Sequence, residues 1–466
     1  GSENTLVGNN AGAALTTGHS NVAIGSFALD NEQAGNKNVA IGMGALGTQR
    51  EAATNANVAI GFTSGFYLST GANNVFMGSQ AGLGDVGNPL TGDRNVAIGT
   101  NAGLALQGAA AENVLMGSYA GDAMTTAAGN VVMGHNALND GDCGNDNVVI
   151  GNNASPNLTG VENVLVGNSA GNALTDTDQT IAIGSGAVLT DQKGDGTVAV
   201  GTSALQSQSF TGSSAVTTGN TAVGHTAGKF LSTGQSNTFV GMEAGLGVTG
   251  TRLTGSSNTC VGKASGVSLQ GAGNLNTFLG VNAGGNVTTG ANNLFLGVDA
   301  GITGSPGGNH VTESSRLVLG DENIAQANIQ VSFTVASDQR DKTDFTPLDV
   351  GLDFVKQLNP VTYKWDKRSK YGDKYAEDYD LNAQTPDGTH KEDWLDVGFK
   401  AQEVEALEKA AGYTIADKTN LTTTLSEDGK QYGMQYEKFV PILVKAIQEL
   451  SAKNDALEAR IATLEG

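Results

Sequence analysis

The chain has 466 residues, a formal net charge of −21, 67 glycines and two cysteines. So few cysteines exclude a disulfide scaffold, seven prolines without a Gly-X-Y frame exclude collagen, and the negative charge argues against nucleic acid or an anionic membrane as a partner. The sequence contains no run of eighteen apolar residues, so we predict no insertion into a membrane, and no signal peptide is visible at the start of the sequence.

The composition of the chain changes near residues 320–337. Residues 1–336 hold 59 of the 67 glycines but only 8 of the 25 lysines and arginines. Both tryptophans and seven of the nine tyrosines follow residue 336. We therefore predict a glycine-rich first part and a second, ordinary globular part that ends in a helix.

A pentapeptide of the type Asn-Val-Ala-Ile-Gly recurs throughout the first part. Its closing glycine returns most often every 17 residues, and most other intervals are longer, which fits insertions in loops. Seventeen residues are too few for a helical hairpin but enough for one coil of a β-solenoid. A decayed copy lies at 316–320, and the seventeen clear copies occupy 4–8, 21–25, 38–42, 57–61, 74–78, 95–99, 113–117, 130–134, 147–151, 163–167, 180–184, 197–201, 220–224, 237–241, 258–262, 276–280 and 293–297.

Each pentapeptide presents two apolar faces, because side chains alternate along a strand. Val22 and Ile24 share one face, which is apolar in almost every repeat, so we expect it to be core. The middle residue, such as Ala23 or Phe76, points the other way and is apolar too. A strand buried on both faces needs two cores, one of the coil itself and one against a neighbouring coil or subunit. We therefore predict an oligomeric, trimeric solenoid.

The asparagine and glycine columns of the repeat have a structural interpretation. Asparagine caps turns or tolerates the left-handed conformation, and glycine supplies a positive φ. The repeat resembles those of trimeric autotransporter adhesin heads and, more closely, the 17-residue Asn-Thr-Ala-Ile-Gly arrays of phage tail-fibre proteins. This resemblance covers residues 4–320 and implies a trimeric, elongated shaft.

The second part carries three motifs in a specific order. They are Ser-Asp-x-x-x-Lys at 337–342, Pro-Val-x-Tyr-x-Trp at 360–365 and Gly-Phe-x-Ala-Gln-Glu-Val at 398–404. Together they resemble the intramolecular chaperone domain of phage endosialidases and tail spikes, an autoprocessing domain that myelin regulatory factors also contain. The resemblance covers residues 337–466.

This resemblance implies self-cleavage between Ala336 and Ser337, with Ser337 as nucleophile and Lys342 as its partner. A serine hydroxyl needs a base, and a lysine can serve when desolvation lowers its pKa. On a helix that begins near Ser337, Lys342 lies about one and a half turns on and can reach back. Gln402 is our candidate oxyanion donor. The alternative is that Ser337 only caps a helix and Lys342 is solvated.

The C-terminal residues predict a coiled-coil helix. Seam positions step by four and three over three heptads, and one seam asparagine would fix the register. Isoleucine paired with leucine favours dimers in simple peptides, so the trimer rests on the repeats and the resemblance. The alternative is an amphipathic helix packed on its own domain. The seam comprises Leu443, Ile447, Leu450, Asn454, Leu457, Ile461 and Leu464.

No other motif predicts a cofactor or a metal site. The five histidines are scattered, and Cys260 takes the middle position of a pentapeptide, where it is a small core residue. The acidic segment 140–146 faintly resembles a calcium loop but lacks the EF-hand glutamate, so we interpret it as an acidic turn.

These observations predict a mostly β protein, a trimeric β-solenoid followed by a small α+β domain with a coiled-coil helix. We expect a shaft at 1–320, a connector at 321–336, a chaperone autoprocessing domain at 337–436 and the helix at 437–466.

The predicted function is that of a structural, receptor-binding tail fibre of the virion, assembled in the host cytoplasm. Its expected partners are two further copies of the chain, a host-surface receptor (a glycan or an outer-membrane component) and other tail or baseplate proteins. Self-cleavage would be a single turnover in cis by a serine peptidase, without activity in trans. The alternatives are a trimeric adhesin-like surface protein and a glycan-degrading fibre.

Overall fold

The computed structural model describes residues 1–50, 55–330, 333–376 and 378–465. The chain forms two compact units. The first comprises Gly1–Leu294 and Thr312–Arg316, and the second comprises Phe295–Val311 and Leu317–Gly466. The finer division into shaft, connector, chaperone domain and helix stays a prediction. Within the described ranges, no helix has the length and apolar character needed to cross a membrane.

Every pentapeptide, including the decayed copy, forms a strand over its three central residues, and two shorter strands lie between pentapeptides. The strands are β1 (Thr5–Val7), β2 (Val22–Ile24), β3 (Val39–Ile41), β4 (Val58–Ile60), β5 (Val75–Met77), β6 (Val96–Ile98), β7 (Val114–Met116), β8 (Val131–Met133), β9 (Val148–Ile150), β10 (Val164–Val166), β11 (Ile181–Ile183), β12 (Gly194–Asp195), β13 (Val198–Val200), β14 (Val216–Thr217), β15 (Thr221–Val223), β16 (Thr238–Val240), β17 (Thr259–Val261), β18 (Thr277–Leu279), β19 (Leu294–Leu296) and β20 (Leu317–Leu319).

Successive repeat strands pair in parallel, with equivalent residues side by side. Val22 lies beside Val39 and Ala23 beside Ala40, and the same register continues from coil to coil as far as β18. The two short strands β12 and β14 pair with each other. This arrangement confirms the β-solenoid and the mostly β class that the 17-residue period predicts.

The asparagine column forms a buried ladder between coils. The backbone N–H of Asn21 donates to Oδ1 of Asn4 at 2.9 Å, and that of Asn38 donates to Oδ1 of Asn21 at the same distance. Asn21 and Asn38 are fully buried. The left-handed conformation belongs to the preceding residue instead, with φ of 60° at Ser20 and 64° at Lys37. The predicted left-handed conformation of this column is therefore wrong, whereas its structural role is confirmed, because the amide links one coil to the next.

The closing glycines stack directly on one another. Gly25 has a φ of 132°, and a Cβ on it would lie 2.6 Å from the carbonyl oxygen of Gly42 in the next coil. Both the backbone conformation and the close approach exclude a side chain there. The predicted need for glycine at this column is confirmed.

The assignment of the two strand faces needs a correction. The middle residue forms the core of the coil, since Ala23 and Phe76 have no exposed surface. The flanking residues, expected to be core, face outwards: Val22 is partly exposed and Ile24 is 37 % exposed. A narrow coil leaves room inside for one side chain per strand, so the branched flanking residues form an outer apolar row.

The described residues of the second unit also form two antiparallel strand pairs, three α-helices and four 3-10 turns. The strands are β21 (Val361–Tyr363), β22 (Asp396–Gly398), β23 (Thr423–Leu425) and β24 (Tyr432–Met434), the helices are α1 (Leu352–Val355), α2 (Ala401–Ala410) and α3 (Phe439–Glu465), and the 3-10 turns are Gln339–Asp341, Arg368–Lys370, Leu381–Ala383 and Tyr436–Lys438. Strand β21 pairs with β22, and β23 pairs with β24.

The apolar core of this region joins the three helices. It consists of Val350, Phe354, Val404, Phe439 and Ile442. Only the first turns of α3 take part in it, because residues 450–465 of the helix are all exposed. The first turns of α3 pack on its own domain, as the alternative predicts, whereas residues 450–465 do not, and the coiled coil stays a prediction.

Candidate functional site

The predicted cleavage bond lies in an exposed segment at 333–342. Ala336 and Ser337 belong to no helix or strand, Asp338 has an extended backbone, and the chain then turns once through the 3-10 helix Gln339–Asp341. This single turn directs Lys342 back towards the serine, where its Nζ donates a hydrogen bond to Ser337 Oγ at 2.5 Å. The structure thus brings together the two residues of the predicted dyad.

Asp338 holds the turn in place. Its carboxylate accepts a hydrogen bond from the backbone N–H of Arg340 at 2.9 Å and contacts the Arg340 guanidinium at 2.6 Å. Both hydrogen bonds lower the pKa of Asp338, and the bond from the Arg340 side chain has the larger effect. The alternative in which Ser337 caps a helix is wrong, because Asp338 is the cap. The expected stretch of α-helix is wrong as well, since one 3-10 turn suffices for Lys342 to reach the hydroxyl.

The contact between Ser337 and Lys342 lies at the distance that proton transfer requires. A general base must come within hydrogen-bond reach of the proton that it abstracts. In this structure the lysine donates to the serine, whereas nucleophilic attack needs a neutral amine that accepts the serine proton. Both side chains are exposed to solvent. One chain therefore supplies the geometry of the dyad but not its burial.

Gln402 belongs to a different element from Ser337 and Lys342. It is an exposed residue in the first turn of α2. Among the described residues, its side chain forms no hydrogen bond with Ser337 or Lys342. The role of Gln402 as an oxyanion donor stays a prediction.

The second and third sequence motifs meet through β21 and β22. Val361 pairs with Gly398, and Tyr363 pairs with Asp396. The indole N–H of Trp365 donates to Asp396 Oδ2 at 3.2 Å, and its ring meets that of Tyr363 edge-on at 5.3 Å. The motifs that carry the resemblance therefore build one structural unit.

An aromatic stack joins this strand pair to α3. The rings of Phe399 and Phe439 stack at 5.2 Å, and Tyr436 OH accepts a hydrogen bond from the backbone N–H of Phe399 at 3.2 Å. A Cβ on Gly398 would lie 2.3 Å from the Tyr436 oxygen. Close approach of the tyrosine therefore explains why glycine precedes Phe399.

Glu408 is a buried carboxylate that the sequence analysis missed. It is 1 % exposed, and it accepts five hydrogen bonds from three consecutive residues, Leu421, Thr422 and Thr423. Burial alone would raise its pKa, but these hydrogen bonds outweigh burial and lower it. A usable signal was its helical spacing, because Glu408 follows Val404 by four residues on the buried face of α2.

The other titratable candidates have structural positions. Cys260 is fully buried in the coil core, as predicted, and burial raises the pKa of the Cys143 thiol to about 12. In the acidic segment, the Asp142 carboxylate accepts hydrogen bonds from the backbone and hydroxyl of Thr125. Within the described ranges, no group of three or more histidine, cysteine, aspartate or glutamate side chains is placed to hold a metal ion.

Comparison with known families agrees with the C-terminal resemblance. Residues 337–413 match the family described as chaperone of endosialidase. Searches of curated proteins and of solved structures gave no significant match. The chain thus combines a β-solenoid with a C-terminal domain of this family, which matches the organisation of a phage tail fibre that carries a chaperone domain.

Proposed function

Because a chaperone of endosialidase domain follows the β-solenoid, we propose that this chain is a tail-fibre protein that assembles as a homotrimer and matures by self-cleavage. The C-terminal domain holds three chains in register while they fold and then cuts itself off between Ala336 and Ser337. The observation that carries the proposal is the 2.5 Å hydrogen bond between Lys342 Nζ and Ser337 Oγ, directly beside that bond.

Cleavage proceeds by an acyl shift followed by hydrolysis. Lys342, as a neutral amine, takes the hydroxyl proton of Ser337, and Oγ attacks the carbonyl carbon of Ala336. The C–N bond breaks, the nitrogen takes the proton from Lys342, and an ester joins Ala336 to Ser337. Water then hydrolyses the ester, which leaves a carboxylate on Ala336 and a free amino group on Ser337. Gln402 is proposed to donate to the oxyanion that forms at the Ala336 carbonyl.

Assembly supplies what one chain lacks. Ser337 and Lys342 are exposed in the single chain, so the lysine is solvated before assembly. A surface from a second chain that covers the pair would exclude water and favour the neutral amine. Cleavage is thereby delayed until the chains have come together.

Two exposed apolar rows support the homotrimer. The first consists of the outward flanks of the solenoid strands, where Ile183 is 37 % and Leu279 is 51 % exposed. The second is the seam of α3, where Leu450 is 54 % and Ile461 is 53 % exposed. Large contiguous apolar surfaces are rare on monomers and mark contacts with other chains. Three copies would cover both rows, the helices as a coiled coil.

Because equivalent residues stack from coil to coil, the solenoid chains need a separate domain to set their alignment. Since Val22 lies beside Val39 and Ala23 beside Ala40, a chain displaced by one coil meets almost the same residues. Such an array resists slippage only weakly on its own. A trimeric C-terminal domain sets the alignment first, and its removal afterwards leaves the shaft kinetically trapped.

The proposed partners follow from this assignment. The shaft of the virion tail fibre contacts a host-surface receptor, a glycan or an outer-membrane component, and joins other tail or baseplate proteins. It is assembled in the host cytoplasm. The enzymatic activity is confined to one turnover per chain, in cis.

A denaturing gel of three proteins tests the proposal. We expect two fragments from the parent chain and one uncut chain from Ser337→Ala and from Lys342→Met. Light scattering on Ser337→Ala should give three times the chain mass of 47.2 kDa. A monomer, or an uncut parent, would contradict the corresponding half of the proposal.

A further inference from the structure

The second unit contains residues from both sides of the predicted cleavage bond. Residues 295–311 and 317–322 belong to the same compact unit as residues that follow 337. The intervening residues 323–330 and 333–342 are all exposed. Cleavage at 336–337 therefore falls in a segment whose described residues are all exposed, away from the buried contacts of this unit.

A buried ion cluster, the Lys374 cluster, crosses this packing. Lys374 Nζ lies 2.8 Å from Glu322 Oε1, 2.9 Å from Asp299 Oδ2 and 3.9 Å from Asp321 Oδ2. The lysine side chain is 11 % exposed and the three carboxylate side chains 5–8 %. Tyr375 also donates a hydrogen bond to Asp299. The carboxylates precede the cleavage bond, and the ammonium and the phenol follow it.

The stability of this cluster depends on the positive charge of Lys374. Burial would lower the pKa of Lys374, but hydrogen bonds to Glu322 and Asp299, together with their charges, raise it above its ordinary value. All three carboxylates contact the ammonium group of Lys374. Removal of one partner from a buried ion pair is strongly destabilising, because the remaining charge stays buried without compensation.

Two further contacts surround the cluster. Lys367 Nζ donates to the backbone carbonyl of Glu322 at 2.6 Å and contacts Glu392 at 3.2 Å. A Cβ on Gly304 would lie 2.8 Å from Cβ of Ser369, so the two backbones approach closely. The fragments therefore fit together by shape as well as by charge.

We propose that the Lys374 cluster holds the two cleavage products together, so that cleavage and release are separate steps. The interaction surface lies on residues 295–322, and its partner is the C-terminal fragment that begins at Ser337. Release requires the ammonium of Lys374 to leave the three carboxylates. The inference rests on the proposed self-cleavage and adds that a cut chain keeps its C-terminal domain until this contact opens.

The test follows the small fragment after cleavage. An N-terminal affinity tag captures the parent, Lys374→Met and the control Lys364→Met, which removes an exposed lysine. We expect the parent and the control to retain the small fragment after capture. Lys374→Met should be cut equally but lose the fragment about 30-fold faster or more. Separation of the parent fragments upon cleavage, or equal retention in Lys374→Met, would overturn the inference.

Two additions keep this test decisive. Glu322→Gln weakens the cluster from the other side and leaves the C-terminal fragment unaltered, so it replaces Lys374→Met if that variant fails to fold. A site for a specific protease, placed in the exposed segment 323–330 of Ser337→Ala, generates the same kind of fragments without self-cleavage. Retention in this protein supports the Lys374 cluster even if the parent remains uncut, so that the failures of the two proposals are distinguishable.

Discussion

Replacement of Glu408 by glutamine removes a charge that organises the residues after α2. Oε1 accepts from the backbone and hydroxyl of Thr422 at 2.8 and 2.6 Å and from the backbone of Thr423 at 3.2 Å. Oε2 accepts from the Thr423 hydroxyl at 2.7 Å and from the backbone of Leu421 at 3.2 Å. Every one of these donors faces a carboxylate that carries no proton.

The magnitude follows from these five bonds. A glutamine places its NH₂ best at Oε2, because the Thr423 hydroxyl can rotate to accept from it. The Leu421 N–H then loses its acceptor, at a cost of about 1–3 kcal/mol. The three bonds at Oε1 become neutral, which weakens each by about 1 kcal/mol. We expect Glu408→Gln to lower the free energy of unfolding by about 4–6 kcal/mol, a large share of a domain's stability.

The effect of pH has a definite sign. The folded-state pKa of Glu408 is lowered, so its contribution is complete above the ordinary glutamate pKa of 4.5. The contribution is lost as the pH falls through the folded-state value. The parent should therefore lose stability in acid through this group, and the difference between parent and Glu408→Gln should shrink below about pH 4.

Urea unfolding monitored by tryptophan fluorescence measures this difference. Both tryptophans, Trp365 and Trp394, belong to the second unit, so the signal reports on it alone. Ser337→Ala serves as the background to keep the chain intact. Glu403→Gln is the matched control, because Glu403 is exposed on the same helix and should change the midpoint little. Equal midpoints for Glu408→Gln and the control at neutral pH would refute the reasoning.

Two further predictions concern the solenoid and the coiled coil. In Gly262→Ala, the new Cβ lies 2.4 Å from the carbonyl oxygen of Gly280, at a φ of 131°. We therefore expect the free energy of unfolding to fall by at least about 1–3 kcal/mol, which circular dichroism should register as a lower thermal midpoint. Gly250→Ala, with no atom near its Cβ, should leave the midpoint unchanged. Leu457→Asp places a charge in the exposed seam of α3 and should reduce both the trimer in light scattering and the cleaved fraction on a gel. Ala452→Asp, on the opposite side of the helix, should alter neither, and equal effects of these two variants would contradict the coiled coil.

The solenoid could be predicted from the sequence because the same residue types recur at the same positions of each repeat. The pentapeptides indicate where each strand lies, and glycine at their ends is required by backbone stacking. The two faces could not be assigned from apolarity alone, since both Ala23 and Ile24 are apolar. The size of the coil interior decides between them, and it depends on packing between coils rather than on any single repeat.

The proximity of Ser337 and Lys342 could be predicted, because the two residues share a motif that resembles that of the chaperone family. The groups around this pair could not, since their partners are distant in sequence. Glu408 binds residues about 14 positions later, and Lys374 binds Glu322, 52 positions earlier. Such contacts follow from tertiary structure. Asp338 is an intermediate case, because aspartate before a turn is a common cap that can be read locally.

The mass and the N-terminal sequence of the small fragment test the central claim most directly. Self-cleavage by Ser337 and Lys342 predicts fragments of 336 and 130 residues, the smaller one beginning at Ser337 with a free amino group. Neither fragment should form from Ser337→Ala or Lys342→Met. A fragment that begins at another residue, or one that still forms from these variants, would show that a different protease cuts the exposed segment and would contradict the account.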